Sequence, residues 1–297
     1  MNIGMIGFGA MGSAMARHIM TRGGHAVVVY DIDADSLSAA REIGASPSES
    51  VEKVCQQVDL LIIMVATDDQ VKAVTHEVFE TGKKDLLIII TSTNHPKTMQ
   101  QINARAKDAG MRMIDAPVVF GLQGAVDGEL VSLCGGRAED VEAATPILAC
   151  YSKKVHHMGP VGAGQVTKTV NNMLHWSSCV ANFEAISLGK RYGLHGQRLR
   201  EVLLQCPAQN GTLERWDTTR FTWHEKDMDI ALDLAQEADL MLPLFGQVDQ
   251  LIKNIKPPQV HGLLYEKSTH YMGKDVSVPD DSPGGSDSLR GAEFSCS

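Results

Sequence analysis

A glycine-rich turn near the start of the chain carries the clearest chemical signal. The residues Gly7-Phe8-Gly9-Ala10-Met11-Gly12 follow a short apolar segment and precede a helical pattern. In such a strand–turn–helix, the first glycine permits a tight turn, the second lets a phosphate approach the backbone, and the third lets helix and strand pack closely. The helix N-terminus adds free N–H groups and a positive dipole end. The turn therefore predicts a pyrophosphate site.

An acidic residue stands at a matching distance along the chain. Asp31 follows the apolar segment 27–30, near the spacing expected for an acid that accepts hydrogen bonds from the adenosine ribose hydroxyls. Residues 32–36 contain no Arg or Lys, so a 2′-phosphate there would meet carboxylates and no cation. These features predict NAD rather than NADP. The alternative interpretation, an ordinary turn with Asp31 as a helix cap, leaves the order of strand, turn, helix, strand and acid unexplained.

A second set of polar residues lies in a long helical pattern. Lys168 and Asn172 are four residues apart and share one helix face, whereas Asn171 points about 100° away. A lysine that faces a cleft loses hydration, which lowers its pKa and suits it to exchanging a proton with an alcohol or a carbonyl. From the helical pattern alone, a solvated surface lysine is the simpler interpretation.

Alternating strand and helix patterns must position these groups in the first half of the chain. Continuous apolar strands at 58–65 and 86–91 are followed by helical patterns at 68–79 and 96–109. This rhythm predicts a mostly parallel sheet with helices on both faces. It places Val65 and Ala66 at a strand end, beside the edge where a cofactor binds in such a fold.

The second half of the chain has a different pattern. Residues 162–192 predict one helix of about 45 Å. Four further helical patterns follow, at 196–205, 209–221, 227–239 and 244–255. The predicted fold is α/β, with a Rossmann-like doubly wound N-terminal domain (1–160) and an all-helical C-terminal domain (161–256) that begins with the long interdomain helix. Residues 257–297 are predicted to be a flexible tail.

Composition and charge exclude several classes of partner. The net charge of −9 disfavours binding to nucleic acid or to an anionic membrane, and the longest apolar run, 60–66, is too short to span a bilayer. The six cysteines form no CxxC pair, which is typical of reduced packing residues in a cytoplasmic protein. Because the first strand pattern starts at residue 2, we expect no cleavable leader. No metal site is predicted.

Four motifs resemble those of the β-hydroxyacid dehydrogenases, the family that contains 3-hydroxyisobutyrate dehydrogenase, tartronate semialdehyde reductase and the more distant 6-phosphogluconate dehydrogenase. The resemblance covers roughly residues 1–245 of the sequence. Its motifs are Gly7-Phe8-Gly9-Ala10-Met11-Gly12, Asp115-Ala116-Pro117-Val118, Gly164-Gln165-Val166-Thr167-Lys168-Thr169-Val170-Asn171-Asn172 and Lys226-Asp227. The resemblance implies an active site in the cleft between the two domains, and homodimers or homotetramers.

The resemblance also implies roles for individual residues. Lys168 would be the acid/base that exchanges a proton with the substrate hydroxyl, and Asn172 would hold the substrate near it. Thr93 and Lys226 would contact the cofactor. The implied reaction is hydride transfer between NAD and a 3-hydroxy acid or the corresponding semialdehyde or oxo acid. An imine reductase-like enzyme and a non-catalytic NAD-binding scaffold are the alternatives; Lys168 argues against both, and Asp31 against the first.

The substrate loop departs from the family pattern. Family members commonly continue the second motif with Ser-Gly-Gly, whereas this chain has Val119-Phe120-Gly121. Phe120, Gly121 and Asn171 are the expected substrate-binding residues, and backbone N–H groups at 120–122 could hold a carboxylate. Two interpretations follow: either Phe120 and Trp176 line a pocket for a bulkier substrate, or the loop bends differently and the Phe120 ring packs against the protein.

Overall fold

The computed structural model describes residues 2–279 of the chain. These residues divide into two compact units, one ending at Lys168 and the other beginning at Thr169. The division falls inside the long helix Ala163–Arg191, later in the chain than the predicted boundary after residue 160. The long helix predicted over 162–192 is thus present.

The first unit is built around one nine-stranded sheet. Its strands are β1 (Asn2–Ile6), β2 (Ala26–Tyr30), β3 (Ser46–Pro47), β4 (Leu60–Ile63), β5 (Leu87–Ile90), β6 (Arg112–Asp115), β7 (Val118–Val119), β8 (Leu130–Gly135) and β9 (Ser152–Gly159). The strand order is β3-β2-β1-β4-β5-β6-β8-β7, with β9 paired to β8. Strands β1 to β6 pair in parallel, as predicted, whereas β8 runs antiparallel to β6 and β7.

Seven helices complete the described part of this unit apart from the long helix. They are α1 (Ala10–Thr21), α2 (Ala34–Glu42), α3 (Val51–Gln57), α4 (Asp68–Glu80), α5 (Pro96–Asp108), α6 (Gly121–Asp127) and α7 (Ala138–Leu148). In β4, Leu60 and Ile62 belong to one buried cluster, and Leu61 and Ile63 belong to another. Because side chains alternate between the faces of a strand, both faces of the sheet are buried. This explains the continuous apolar runs of the sequence.

The second unit is mainly helical. Beyond α8 (Ala163–Arg191), its elements are α9 (Gly196–Leu203), α10 (Gly211–Glu214), α11 (His224–Glu237), α12 (Pro243–Ile252), α13 (Pro257–Tyr265), and a hairpin of β10 (Ser268–Tyr271) and β11 (Lys274–Ser277). The helix predicted over 209–221 is instead the single turn α10 and a 3₁₀ turn, because the backbone leaves helical geometry at Arg215. The core of the second unit includes the buried rings of Trp176, Phe183 and Trp216.

The flexible tail predicted for residues 257–297 is wrong where the structure describes it. Pro257 and Pro258 start helix α13, and Leu263 and Leu264 are fully buried in the core of the helical unit. The Lys190 ammonium donates hydrogen bonds to the carbonyl oxygens of residues 262, 263 and 266, which terminate this helix. Helix α13 has few apolar residues, but these recur at helical spacing and form one buried face. Residues 280–297 of the predicted tail lie outside the described residues.

Within residues 2–279, no helix is both long enough and apolar enough to cross a bilayer.

Candidate active site

The glycine turn between β1 and α1 has the geometry that its sequence predicts. Gly7 has a φ of +91°, and a Cβ there would lie 2.1 Å from the carbonyl oxygen of Met64. A Cβ at Gly12 would lie 2.3 Å from the carbonyl oxygen of Gly7. At Gly9, by contrast, a Cβ would meet no described atom within 4 Å. Two glycines are therefore required by the fold, and the third leaves open space beside the backbone.

The start of α1 adds hydrogen-bond donors to that open space. Gly9 is the N-cap residue, and among the described residues no side chain caps the helix and no acid lies in its first turn. The first N–H groups of a helix have no carbonyl partner within it, and they carry the positive end of the dipole. Ala10 is exposed there, and Met11 is half-buried against the core. The turn and helix start therefore fit a pyrophosphate.

Asp31 is linked directly to the glycine turn. Its Oδ2 accepts a hydrogen bond of 2.5 Å from the backbone N–H of Phe8, whose ring is buried in the core. Its Oδ1 accepts one from the N–H of Asp33 at 2.9 Å. Asp33 in turn caps α2, and its hydrogen bonds with Ser36 hold the pKa of that carboxyl below its usual value. The Asp31 carboxylate thus has a fixed direction at the end of β2.

Val65, Ala66 and Thr93 also follow parallel strands at the same sheet edge. Val65 and Ala66 come after β4, and the N–H of Ala66 donates to the Gln70 side chain of α4. Thr93 comes after β5. Val65 and Thr93 are half-buried, and Ala66 is exposed. Because the carboxyl ends of neighbouring parallel strands meet at one edge, the predicted cofactor residues of this unit share one edge of the sheet.

A buried polar network joins that edge to the first turn of α8. The Gln165 side chain accepts a hydrogen bond from the N–H of Asn94 (3.0 Å) and donates one to the carbonyl of Ser92 (2.8 Å). These two residues flank Thr93. The Asn94 amide continues the network by donating to Asp68 at 2.8 Å. Gln165 is fully buried, and it therefore fixes α8 against the strand end that carries Thr93.

Asp115 fixes the same helix turn from the end of β6. Its carboxylate accepts hydrogen bonds from the N–H groups of Gly162 (2.6 Å) and Gln165 (3.0 Å). Burial raises the pKa of Asp115 to about 6, although these N–H groups act to lower it. A Cβ at Gly135 or Gly164 would lie within 2.7 Å of this carboxylate, so both glycines are needed for the close approach. The direction in which α8 begins is thereby set.

The predicted catalytic residues lie on α8. Lys168 is half-buried and follows Gln165 by about one helix turn. Asn172 is buried, and its Oδ1 accepts a hydrogen bond of 3.1 Å from the exposed Asn171. Lys168 and Asn172 share one face of the helix, as their spacing predicts.

The substrate loop between β7 and α6 has an unusual backbone. Phe120 has a φ of +89° and Gly121 a φ of +63°, so two successive residues are left-handed. For a residue with a side chain this conformation costs about 1–2 kcal/mol. The Phe120 ring lies 4.2 Å below the Lys153 ammonium. Phe120 is 37% exposed, and the contact of its ring with the Lys153 ammonium favours the interpretation in which the ring packs against the protein.

Comparison with known proteins gives one consistent result. Residues 2–159 match the family model for the NAD binding domain of 6-phosphogluconate dehydrogenase, and residues 162–262 match that for the NAD-binding of NADP-dependent 3-hydroxyisobutyrate dehydrogenase. The chain belongs to the 3-hydroxyisobutyrate dehydrogenase family.

Individual relatives agree with this assignment. The probable mitochondrial 3-hydroxyisobutyrate dehydrogenase of Dictyostelium discoideum is 31% identical over 218 residues, which cover 72% of this chain and 68% of that protein. The NAD-dependent L-serine dehydrogenase of Pseudomonas aeruginosa is 32% identical over 215 residues (71% and 72%). The solved structure of Mycobacterium tuberculosis 3-hydroxyisobutyrate dehydrogenase with L-serine has a TM-score of 0.78 and 25% identity, covering 85% of this chain and 92% of that one.

Membership of this family confirms three of the sequence predictions. The chain is an NAD-dependent hydroxyacid dehydrogenase, and its cofactor is NAD. It has a Rossmann-like N-terminal unit and a helical C-terminal part. The open space at Gly9, the free start of α1 and the oriented Asp31 carboxylate fit that cofactor.

Other predicted residues of this dehydrogenase lie in the helical unit. Lys226 is half-buried in the first turn of α11, which begins at His224 rather than at 227 as predicted. The next residue, Asp227, accepts a hydrogen bond of 3.0 Å from the Trp176 indole. Trp176 is 4% exposed and belongs to the core, and His175 shares a hydrogen bond of 2.9 Å with Thr212. Trp176 is therefore a packing residue of this unit.

Sequence reasoning missed the structural roles of two residues of this dehydrogenase. Asp115 and Gln165 both occur in the motifs on which the resemblance rests, but their partners are remote in the chain. A signal was available, because each is a polar residue in a strand or helix pattern whose neighbouring residues are expected to be buried. Such a residue needs hydrogen-bond partners inside the protein.

Proposed function

We propose that this dehydrogenase interconverts a 3-hydroxy acid and the corresponding semialdehyde or oxo acid, with Lys168 as the general acid/base. The observation that carries the proposal is the position of Lys168 on α8, about one turn after Gln165. Hydrogen bonds with Asp115 and Asn94 hold Gln165 in place. A side chain on a helix that is fixed by buried hydrogen bonds keeps a defined direction, which proton transfer requires.

The proposed mechanism assigns a task to each site residue. In oxidation, the Lys168 amine accepts the hydroxyl proton; in reduction, its ammonium returns a proton to the carbonyl oxygen. NAD, when bound, supplies the hydride acceptor. Asn172 donates a hydrogen bond to the substrate, and Asn171 assists it. Backbone N–H groups of Phe120 and Gly121 hold the carboxylate.

The cofactor residues are proposed from the first unit and from one lysine. Residues of the glycine turn bind the pyrophosphate, and Asp31 accepts hydrogen bonds from the ribose hydroxyls. Val65, Ala66 and Thr93 contact the nicotinamide half, and Lys226 lies near it. We propose a preference for NAD over NADP, because Asp31, Asp33 and Asp35 would repel a 2′-phosphate.

The proposed substrate has a hydroxymethyl group on the carbon next to the carboxylate. The relatives are named for 3-hydroxyisobutyrate and L-serine, and both compounds have this arrangement. The burial of Trp176 and the contact of the Phe120 ring with the Lys153 ammonium support a small substrate rather than an aryl-substituted one.

The experiment is a substrate panel followed by the absorbance of NADH. Purified protein is mixed with NAD or NADP and with 3-hydroxyisobutyrate, L-serine, glycerate or an aryl-substituted 3-hydroxy acid. We expect NAD to be reduced with at least one of the small acids and more slowly with the aryl acid. Binding of NAD without reduction by any acid, and without reduction of a cyclic imine by NADH, would instead indicate the scaffold alternative.

Two further expectations belong to this proposal. The family resemblance supports a homodimer or homotetramer, which light scattering of the purified protein tests. The five cysteines among residues 2–279 are free thiols, which supports a reducing compartment such as the cytoplasm. Localisation of a tagged full-length chain tests that expectation.

A further inference from the structure

The backbone at Phe120 is the most strained position of the substrate loop. Within residues 2–279, four non-glycine residues have a positive φ, namely Asp85, Phe120, Asp239 and Met272. Aspartate tolerates the left-handed region better than bulky residues do, and Met272 lies in the turn between β10 and β11. An aromatic residue in this region persists only where its surroundings fix it.

A β-bulge brings Lys153 to the Phe120 ring. Strand β8 pairs with β9 so that Leu130 faces Ser152 and Val131 faces Lys154, which leaves Lys153 as the extra residue. A bulge of this kind redirects a side chain. On the other side of β8, Val131 faces Val119, the residue before Phe120. Strand β8 therefore holds the bulge and the start of the loop in register.

Lys153, Gly124 and Glu129 complete the arrangement around Phe120. The Lys153 ammonium lies 4.2 Å from the ring centroid, within the range of a cation–π interaction. A Cβ at Gly124 would lie 2.6 Å from the Phe120 Cβ, so the glycine leaves the space that Phe120 occupies. Glu129 Oε2 lies 3.7 Å from the same ammonium and forms an exposed ion pair with it.

We propose that Phe120 and Lys153 form a latch that keeps Phe120 and Gly121 in their left-handed conformation and thereby sets the affinity for the hydroxy acid. The part of this proposal that concerns affinity rests on the proposed function. The phenyl ring has no proton to exchange, so the latch acts on binding and not on hydride or proton transfer. Lys153 is a positioning residue, because it acts through Phe120.

The first test measures the steady-state constants of Lys153 variants. Lys153→Met removes the charge and keeps most of the stem, Lys153→Arg keeps a cation over the ring, and Lys154→Met is the matched control on the same strand. We expect Lys153→Met to raise KM for the hydroxy acid roughly three- to tenfold, with kcat and KM for NAD within about twofold of wild type. Lys153→Arg should restore KM, and Lys154→Met should leave it unchanged.

The second test separates the ring from the backbone. Phe120→Gly allows a left-handed backbone without a ring, whereas Phe120→Ala keeps the strain and loses the contact. We expect Lys153→Met to have no effect on KM in the Phe120→Gly background. An equal effect of Lys153→Met in both backgrounds, or an effect no larger than that of Lys154→Met, would overturn the latch.

A third measurement does not depend on turnover. The urea midpoint of unfolding should be higher for Phe120→Gly than for Phe120→Ala, and Lys153→Met should lower it in the Phe120 background alone. Glu129→Gln shows whether the ion pair, rather than the ring, causes any loss. If no hydroxy acid is turned over but this unfolding pattern is found, the proposed function fails and the latch stands. Equal midpoints for the glycine and alanine variants would overturn the latch even in an active enzyme.

Discussion

A single amine carries the proton chemistry of the proposed reaction. Lys168→Ala removes that amine from a helix whose start is fixed by other residues, so it should leave the fold and the NAD affinity nearly unchanged. We expect turnover to fall by about 10²–10⁴-fold, the usual contribution of a positioned acid/base. Steady-state kinetics and a titration with NAD measure the two effects separately. Turnover within tenfold of wild type would refute the mechanism.

Asp31 is expected to govern the choice between the two nicotinamide cofactors. Asp31→Ala removes the acceptor for the ribose hydroxyls and the negative charge, so NAD should bind roughly tenfold more weakly and NADP should bind no worse. Because the carboxylate also accepts a hydrogen bond from Phe8, Asp31→Asn is the control that keeps an acceptor for that N–H. Calorimetric titrations of both variants with NAD and NADP test this. An unchanged ratio of the two affinities in Asp31→Ala would contradict the assignment.

The start of α8 is the element on which the geometry of the site depends. The buried Asp115 has a pKa of about 6 in the folded protein, above its ordinary value of 3.8. Between these values the folded state keeps a proton that the unfolded state has lost. The stability due to Asp115 is therefore complete below pH 3.8 and is lost as the pH rises to 6.

Asp115→Asn removes this titration without removing the side chain. Relative to that variant, the free energy of unfolding of the wild type should fall by about 3 kcal/mol between pH 4 and 6 and stay level above pH 6. Urea unfolding of both proteins across this range measures the difference. If the difference in free energy of unfolding between the two proteins does not depend on pH, burial does not raise the pKa of Asp115.

Sequence patterns predicted the elements whose stability depends on local apolar spacing. The strands β4 and β5 and the helices α4 and α5 were predicted because their buried faces recur along the chain. Strand β9 was not predicted, because most of its side chains are exposed and its sequence, with Lys154 and His156, is polar. The buried hydrogen bonds of Asp115 and Gln165 were missed because their partners come together only in the folded chain. Glycine roles at 7, 9 and 12 were predictable, since a turn of known geometry requires them.

At the scale of the whole molecule, the described C-terminal residues 257–279 are part of the helical unit. The Lys190 ammonium is buried and donates to three carbonyls at the end of α13, and burial lowers the pKa of this lysine. The hydroxyl of Tyr271 in the hairpin donates to Glu184 of α8. Hydrogen bonds from the long helix α8 to α13 and to the hairpin therefore stabilise this unit in addition to its apolar core.

Lys190→Met should reveal how much this connection contributes. The variant leaves three carbonyl groups without their shared donor, so we expect the free energy of unfolding to fall by about 3 kcal/mol. Arg191→Met, at the exposed neighbouring position, should change it by no more than about 0.5 kcal/mol. Urea unfolding compares the two. Equal effects of both substitutions would mean that the carbonyl contacts add nothing to stability.

In the glycine turn, folding and nucleotide binding are expected to depend on different positions. At Gly7 and Gly12 an added methyl group would collide with backbone oxygens, so substitutions there should reduce the yield of intact protein. Gly9→Ala meets no such obstacle, and we expect it to accumulate normally while losing nucleotide affinity at least tenfold. A saturation library scored once for cellular abundance and once for retention on immobilised nucleotide would separate these positions. Poor accumulation of Gly9→Ala would show that folding also requires the open space beside Gly9.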